Sequence, residues 1–189
     1  MNVIVLIILL AGCIVLFIFE RAGIPTTLEL HFKGDIKRES RWFAQYGQSV
    51  CSPIAALLVW QLDPHRERGL IVIACVAAAS LSCGILKRAI GRVRPGREDA
   101  GKFLGPTWRH ANYRESFPSS HSACAVALSA ALAHFYPQAA ITFWGLAIIC
   151  AALRYFLDAH WPSDVWGGAA LGYAVAFGVM ALFPPTFHL

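Results

Sequence analysis

The sequence has little charge: only 14% of its 189 residues are Asp, Glu, Lys or Arg, against about 25% in soluble globular domains. Hydrophobic residues make up 57% of the chain, and the mean hydropathy is +0.55. This composition excludes a soluble globular protein, because so large an apolar fraction is typical of a chain surrounded by lipid. With only 15 Gly and 10 Pro, a collagen-like or disordered chain is excluded as well.

Recognisable cysteine patterns and internal repeats are also missing. The six cysteines include no CxxC pair, and no His follows them at zinc-finger spacing. All six lie in or beside apolar runs, so we expect small buried hydrophobic side chains rather than a disulfide framework.

Long apolar runs are what the sequence does contain, and most approach the roughly 20 residues that a helix needs to cross a bilayer. The pattern predicts an all-α integral membrane bundle of six transmembrane helices, forming a single membrane-embedded domain over residues 1–189. The second run, which is short and carries Pro53, is the weakest of the six. The predicted spans are residues 3–19, 50–62, 70–86, 120–136, 139–156 and 164–183.

Two stretches near the N-terminus have more than one interpretation. Residues 10–13 (LAGC) match a bacterial lipoprotein cleavage pattern, but an uncleaved span is favoured, because no Lys or Arg precedes the run and apolar residues continue after Cys13. Residues 28–48 mix basic and aromatic side chains. This segment between the first two spans lies flat on the membrane or forms a solvated loop with anchoring aromatics, and both interpretations remain open.

The basic residues are distributed unevenly between the predicted loops. Six spans place both termini on one side, and the first, third and fifth loops on the other side hold 14 Lys and Arg. Only Arg66 and Arg68 lie on the opposite side. Taken alone, the positive-inside rule would place the three basic loops in the cytoplasm.

Three clusters of polar residues lie at the ends of the predicted spans. Ionisable groups at membrane depth are costly, so their presence there predicts a functional site. The clusters are Lys87 with Arg94 and Pro95, residues 116–121 (SFPSSH), and Arg154 with His160 and Asp164.

Together these clusters have the chemistry of a phosphate site. Lys87, Arg94 and Arg154 supply positive charge, and the planar fork of Arg matches phosphate oxygens. Ser119 and Ser120 stand at the start of the fourth span, where free backbone N–H groups and the helix dipole favour an anion.

The two histidines in these clusters suit a double displacement at phosphorus. His160 and Asp164 are four residues apart across Pro162, so a helix beginning at Pro162 would let the carboxylate reach the imidazole and fix its tautomer. Of the two histidines, His121 and His160, one would attack phosphorus. The other would protonate the leaving oxygen and then activate water. Apart from Glu98 and Asp99, no carboxylates pair near these clusters, which predicts a reaction without a metal or cofactor.

In this order and spacing, the three clusters resemble the signature motifs of the type 2 phosphatidic acid phosphatase superfamily. That superfamily includes six-span membrane lipid phosphatases, soluble acid phosphatases and vanadium haloperoxidases. The resemblance implies that His160 is the nucleophile, His121 the general acid and base, and Asp164 the orienting group. It also implies that the phosphate ligands are Lys87, Arg94, Ser119 and Arg154. Ser120 is predicted as a further phosphate-binding residue through its backbone N–H.

The chain departs from the usual motifs at two positions. Ser120 stands where the family usually has Gly, and it still offers a backbone N–H to the substrate. Leu153 stands where the family usually has Ser, which removes a possible hydroxyl contact to phosphate. Neither departure touches the residues that move protons.

The resemblance implies a membrane lipid phosphatase acting on a phosphomonoester or pyrophosphate. Candidate substrates are undecaprenyl pyrophosphate, phosphatidylglycerophosphate, phosphatidic acid and the phosphate of lipid A; nucleic acid is not an expected partner. Two alternatives are a lipid phosphotransferase using the same phosphohistidine and a non-catalytic scaffold or transporter. Bacterial relatives imply a multi-pass protein of the inner membrane with its site facing the periplasm, in conflict with the count of basic residues.

Other polar and aromatic residues near these clusters have a simpler interpretation. Arg88 and Arg92 are expected to be interfacial anchors whose charged ends extend from the third span toward water. Trp108, Trp161 and Trp166 are expected in the aromatic belt at the membrane surface.

Overall fold

The computed structural model describes residues 2–26, 40, 42–48, 50–107, 109, 111–157 and 160–183. Within these ranges the chain is helical, with an isolated bridge between Arg92 and Phe103 and no strand, so the all-α prediction is confirmed. Six helices of twelve or more residues are described there: α1 (Val3–Arg21), α2 (Cys51–Leu62), α3 (Glu67–Ile90), α4 (Ser120–Phe135), α5 (Ala140–Phe156) and α6 (Pro162–Leu182).

The protein is an integral membrane protein. Among the residues that the structure describes, four helical segments are long and apolar enough to cross a bilayer, namely α1, α3, α6 and the segment Pro137–Phe156, which contains α5. At ~1.5 Å per residue α2 and α4 are only about 18 and 24 Å long, shorter than the ~30 Å hydrocarbon core. The count of six spans therefore stays a prediction.

Consecutive helices run in alternating directions, so the connections meet at two opposite ends of the bundle. At one end, Glu20 near the end of α1 contacts Ser163 at the start of α6. At the other end, the hydroxyl of Tyr136 after α4 donates a hydrogen bond to Asp63 after α2. The three polar clusters of the sequence all fall at the first of these ends.

Helix α4 lies at the centre of the bundle and packs against α3, α5 and α6. Every residue from Ser122 to Leu132 is buried, and five of these eleven residues are Ala, whose small side chains allow neighbouring helices to come close. The closest approach is made by Gly168 and Gly172 of α6: a Cβ at Gly172 would lie 2.1 Å from the carbonyl oxygen of Ala123. Together with the contact of Gly168 with Ser119, this joins the first half of α6 to the start of α4.

The segment predicted to lie at the interface between the first two spans falls mostly outside the described residues, as does Trp108. Its last residues are described and form a short turn, Gln45–Gly47. A Cβ at Gly47 would lie 2.1 Å from the carbonyl oxygen of His121, so this turn packs directly against the start of α4.

Candidate active site

Two of the predicted cations lie where α3 ends. Lys87 is in its last turn, and Gly91, with a φ of +64°, ends the helix and turns the chain toward Arg94. The Nζ of Lys87 donates to the carbonyl oxygen of Glu115 at 2.6 Å, and the Nε of Arg94 donates to that of Asn112 at 2.7 Å. Both cations are thereby fixed against the loop that precedes α4.

The start of α4 is held by serines that the motif placed there. Ser119 is the N-cap, and its hydroxyl lies 3.0 Å from that of Ser122. The backbone N–H of Ser119 donates to the carbonyl oxygen of Asp164 at 2.9 Å, which ties the start of α4 to α6. Ser120 is the first helical residue and interacts with the thiol of Cys83. A helix N-terminus in this position favours an anion.

The ring of His160 is fixed by a backbone carbonyl. Its Nδ1 lies 2.8 Å from the carbonyl oxygen of Ser116. Because a carbonyl only accepts, Nδ1 carries the proton and Nε2 presents its lone pair, 3.5 Å from Nη1 of Arg94. The carboxylate of Asp164, expected to contact the ring directly, lies 3.6 Å from Nδ1, within ion-pair range but longer than a hydrogen bond.

His160 is 2% exposed, and burial lowers its pKa to about 4. The neighbouring Asp164 carboxylate opposes this lowering, while the charges of Arg94 and Lys87 add to it. A pKa in this range keeps the imidazole neutral near pH 7, which is the state that a nitrogen nucleophile needs.

Asp164 is buried at the start of α6, which begins at Pro162, the position that the sequence predicts. Its Oδ2 accepts hydrogen bonds from the Ser116 hydroxyl at 2.5 Å and from the backbone N–H of Trp161 at 2.9 Å. Its Oδ1 accepts from Nη1 of Arg92 at 2.6 Å. These three donors hold the carboxylate in its charged form beside His160.

The expectation that Arg92 is an interfacial anchor is wrong. Its side chain is 2% exposed, because it lies between two buried carboxylates: Nη1 donates to Asp164, and Nη2 donates to Oε2 of Glu20 at 2.7 Å. The guanidinium is also enclosed by aromatic rings, with centroid distances of 5.2 to 5.7 Å, from Phe17, Phe103 and Trp161.

Trp161 likewise differs from its expected place in the aromatic belt. Its indole N–H donates to the carbonyl oxygen of Val93 at 3.1 Å while its ring covers Arg92. Arg88 and Trp166, in contrast, are exposed, and their place at the membrane interface stays a prediction. Sequence patterns missed the interior role of Trp161 and Arg92 because each depends on a partner far along the chain.

The second histidine, His121, lies one residue inside α4. Its Nε2 is 3.0 Å from Nε2 of Gln48, a contact that sequence reasoning missed because the motif does not include the first loop. The positive charges of Arg154, Lys87 and Arg94 all lie close enough to His121 to influence its imidazole electrostatically. The structure thus brings together at one end of the bundle all eight predicted residues: His121, His160, Asp164, Lys87, Arg94, Arg154, Ser119 and Ser120.

The arrangement combines three cations, a helix N-terminus and a neutral imidazole whose Nε2 carries no proton, which are the elements needed to bind a phosphate and attack it. Across the described ranges, no group of three or more His, Cys, Asp or Glu side chains has the geometry of a metal site. The reaction without metal stays a prediction.

Comparison with known proteins gives a family assignment and several named relatives. Residues 68–187 match the family model of the PAP2 superfamily. The lipid A 1-phosphatases of Rhizobium etli and Rhizobium johnstonii are 41% and 40% identical to the chain over 106 residues, which is 55% of this chain and 45% and 43% of those proteins. The chain therefore spans less than half the length of these two relatives.

Two further proteins match over more of their length. A provisionally named undecaprenyl-diphosphatase of Escherichia coli is 26% identical over 143 residues, covering 72% of this chain and 68% of that protein. The crystal structure of a transmembrane PAP2-type phosphatidylglycerolphosphate phosphatase from Bacillus subtilis superposes with a TM-score of 0.68 at 21% identity, over 94% of this chain and 95% of that one. This likeness establishes the shared fold.

Proposed function

Because the chain belongs to the PAP2 superfamily, we propose that it is a membrane lipid phosphatase that hydrolyses a lipid phosphomonoester or pyrophosphate through a phosphohistidine. The observation that carries the proposal is the buried imidazole of His160. Its Nδ1–H donates to the Ser116 carbonyl, which leaves Nε2 as a nucleophile beside Arg94.

In the first step, Nε2 of His160 attacks phosphorus, and the bond from phosphorus to the leaving oxygen breaks. His121 donates a proton to that oxygen, so the lipid leaves as an alcohol or a monophosphate. The charge on the equatorial oxygens is neutralised by Lys87, Arg94 and Arg154, together with the N-terminus of α4.

In the second step, His121 takes a proton from water, and the resulting hydroxide attacks phosphorus. The bond from phosphorus to Nε2 of His160 breaks, inorganic phosphate leaves, and both histidines return to their starting states. The negative charge of Asp164, 3.6 Å from Nδ1, stabilises the positive ring that exists while phosphate is attached.

The shape of the bundle supports a lipid as substrate. An apolar groove of about 830 Å³ lies between α1, α5 and α6. Its lining includes Pro162 and Val165, in the same turn as Asp164, and continues along the bundle to Val5. A lipid whose phosphate reaches His160 would therefore have an apolar surface beside it for a hydrocarbon chain.

A single assay tests this function. Detergent-purified protein would be given lipid A, undecaprenyl pyrophosphate, phosphatidylglycerophosphate and phosphatidic acid, with and without EDTA, and phosphate release would be measured. We expect release from at least one lipid, lipid A being the first candidate given the two Rhizobium relatives. The release should disappear in His160→Ala and persist in His134→Ala, an exposed histidine at the opposite end of α4.

The same assay separates the alternatives. Labelled phosphate that moves to a lipid or sugar acceptor instead of water would indicate a phosphotransferase. If well-folded protein neither releases nor transfers phosphate, the phosphatase proposal is rejected in favour of a scaffold or transporter. Loss of release in EDTA would reject the metal-independent mechanism.

We further propose that the protein lies in the inner membrane with its site facing the periplasm. Several of the basic residues that suggested the opposite orientation make internal contacts and are not simple surface charges. Arg92 pairs with Glu20, Lys87 donates to the carbonyl oxygen of Glu115, and Arg114 donates to that of Gly105. A count of Lys and Arg therefore overstates the exposed charge at this end of the bundle.

A further inference from the structure

Near the end of α1, a helix that otherwise exposes many apolar side chains, Glu20 has a side chain that is only 3% exposed. Both of its carboxylate oxygens are hydrogen-bonded. Oε1 accepts from the backbone N–H of Ser163 at 2.9 Å, and Oε2 accepts from the Ser163 hydroxyl at 2.5 Å and from Arg92 at 2.7 Å. Glu20 is thus hydrogen-bonded to the start of α6, at the residue that precedes Asp164.

Arg92 connects this carboxylate to that of the site. Its Nη1 donates to Asp164 at 2.6 Å while its Nη2 donates to Glu20, and the three side chains are all at most 3% exposed. Glu20, Arg92 and Asp164 therefore form a row of charges, negative, positive and negative. The row ends at Asp164, which lies next to His160.

The second carboxylate changes the charge that His160 experiences. If Arg92 faced Asp164 alone, the pair would be neutral, and little negative charge would remain to stabilise a positive imidazole. Glu20 leaves the buried group with one net negative charge, which acts strongly at short range where water is excluded. The ring of His160 becomes positive when phosphate is attached to Nε2, so this charge favours the intermediate over the free enzyme.

From this arrangement, and resting on the proposed function, we propose that Glu20 and Arg92 are positioning residues for phosphoryl transfer. Arg92 holds the Asp164 carboxylate in place, and Glu20 restores the negative charge that Arg92 would otherwise cancel. The first membrane helix thereby contributes to the active site through a residue that touches neither substrate nor nucleophile.

The test compares Glu20→Gln with Asp63→Asn. Asp63 is a matched control, because it is also a buried carboxylate bonded to an arginine, Arg68 at 3.0 Å, but it lies at the opposite end of the bundle. We expect both variants to melt at a lower temperature than the parent protein. Only Glu20→Gln should lower kcat, by about tenfold, the size of coupling found within connected networks, and KM should not change.

Binding of two anions gives a readout that does not require turnover. Orthovanadate becomes five-coordinate on an attacking nitrogen, as phosphorus does during transfer, whereas inorganic phosphate stays tetrahedral. In ⁵¹V and ³¹P NMR titrations, Glu20→Gln should weaken vanadate binding about tenfold and leave phosphate binding within twofold. Asp63→Asn should change neither.

The results separate the two proposals. A parent protein that binds vanadate but releases no phosphate from any lipid contradicts the phosphatase assignment, whereas the role of Glu20 is still judged from vanadate binding. A Glu20→Gln variant with parental kcat and vanadate affinity, or with losses no larger than those of Asp63→Asn, overturns the positioning role.

A second variant covers the case in which Glu20→Gln does not fold. Ser163→Ala removes a hydrogen bond to Glu20 and keeps every charge, so it should lower kcat and vanadate affinity about threefold. Parental values in Ser163→Ala would overturn the proposal.

Discussion

At the scale of single residues, the position of Asp164 depends on three hydrogen-bond donors, of which the Ser116 hydroxyl is the easiest to remove. Ser116→Ala leaves the backbone carbonyl that fixes His160 and deletes one charge-assisted hydrogen bond, worth ~1.5–3 kcal/mol. We expect kcat to fall about tenfold with little change in KM, as measured by phosphate release.

Ser129→Ala is the control for that change. Ser129 is also buried and hydrogen-bonded, to Phe143 and Tyr46, but it lies deep in the bundle away from the site. A similar fall of kcat in both variants would show that Ser116 acts only through packing.

The state of His160 predicts the pH dependence of the reaction. Because burial lowers its pKa to about 4, against the opposing charge of Asp164, the imidazole stays neutral over most of the acid range. Below that pKa it becomes protonated and can no longer attack. We therefore expect the acid limb of kcat/KM, which reports on the free enzyme, near pH 4. An acid limb between pH 6 and 7, the range of an unperturbed histidine, would contradict this environment.

Residue types and spacing predict which side chains assemble, but not how each is held. The sequence could place His160 and Asp164 on one helix start because their separation is local. It could not show that the ring is fixed by the Ser116 carbonyl, since a backbone group carries no sequence signal. Nor could it pair Arg92 with Glu20, because 72 residues separate them and both lie at the ends of apolar runs, where an interfacial position is the simpler interpretation.

At the scale of helices, the site depends on how closely α4 and α6 approach. Gly168 and Gly172 form a small-residue stripe against α4. Gly172→Ala would put a Cβ 2.1 Å from the Ala123 carbonyl oxygen, so the helices must move apart, at a cost of about 1–3 kcal/mol. We expect lower thermal stability together with lower kcat, because His121 and Asp164 sit at the starts of these two helices.

Gly178→Ala provides the matched comparison on the same helix. Nothing lies within 4 Å of the Cβ that it would add, so it should leave kcat unchanged and slightly stabilise the protein through its better helix propensity. Equal losses in both variants would place the effect in the helix backbone and not in the contact between α4 and α6.

The helices themselves follow hydropathy closely, and the exceptions have physical causes. Residues 70–86 were predicted as a span, whereas α3 extends over Glu67–Ile90, because charged residues at both ends continue the helix after the apolar run has ended. Helix α4 is shorter than the hydrocarbon core is thick, yet among the described helices it has the largest share of buried residues. A hydropathy pattern reports apolar length and does not distinguish a helix surrounded by lipid from one surrounded by protein.

At the scale of the whole molecule, the alternating helices place every predicted site residue at one end of the bundle. The proposed phosphate site and the ion pairs beside it account for several of the basic residues at that end. The positive-inside rule counts every Lys and Arg of a loop equally, whether or not it makes an internal contact, when it predicts which loops are cytoplasmic. For this chain the rule and the proposed orientation therefore predict opposite faces of the membrane.

Labelling with a membrane-impermeant maleimide distinguishes the two orientations. Lys102→Cys replaces a side chain that is 69% exposed in the loop after α3, and Arg66→Cys replaces an exposed residue at the opposite end. Cys13 and Cys51 would be changed to Ala, since the other four native cysteines are buried. We expect Lys102→Cys to be labelled in intact spheroplasts, and Arg66→Cys only after permeabilisation.

The reverse pattern would place the site in the cytoplasm and reject the periplasmic orientation. It would also change the physical meaning of the surface charge, because exposed residues such as Lys102 would then lie beside the anionic inner leaflet, where each basic group contributes ~1 kcal/mol of attraction. In the expected orientation the same residues lie beside the outer leaflet. Their positive charge would there attract the phosphate of a lipid toward Lys87 and Arg94.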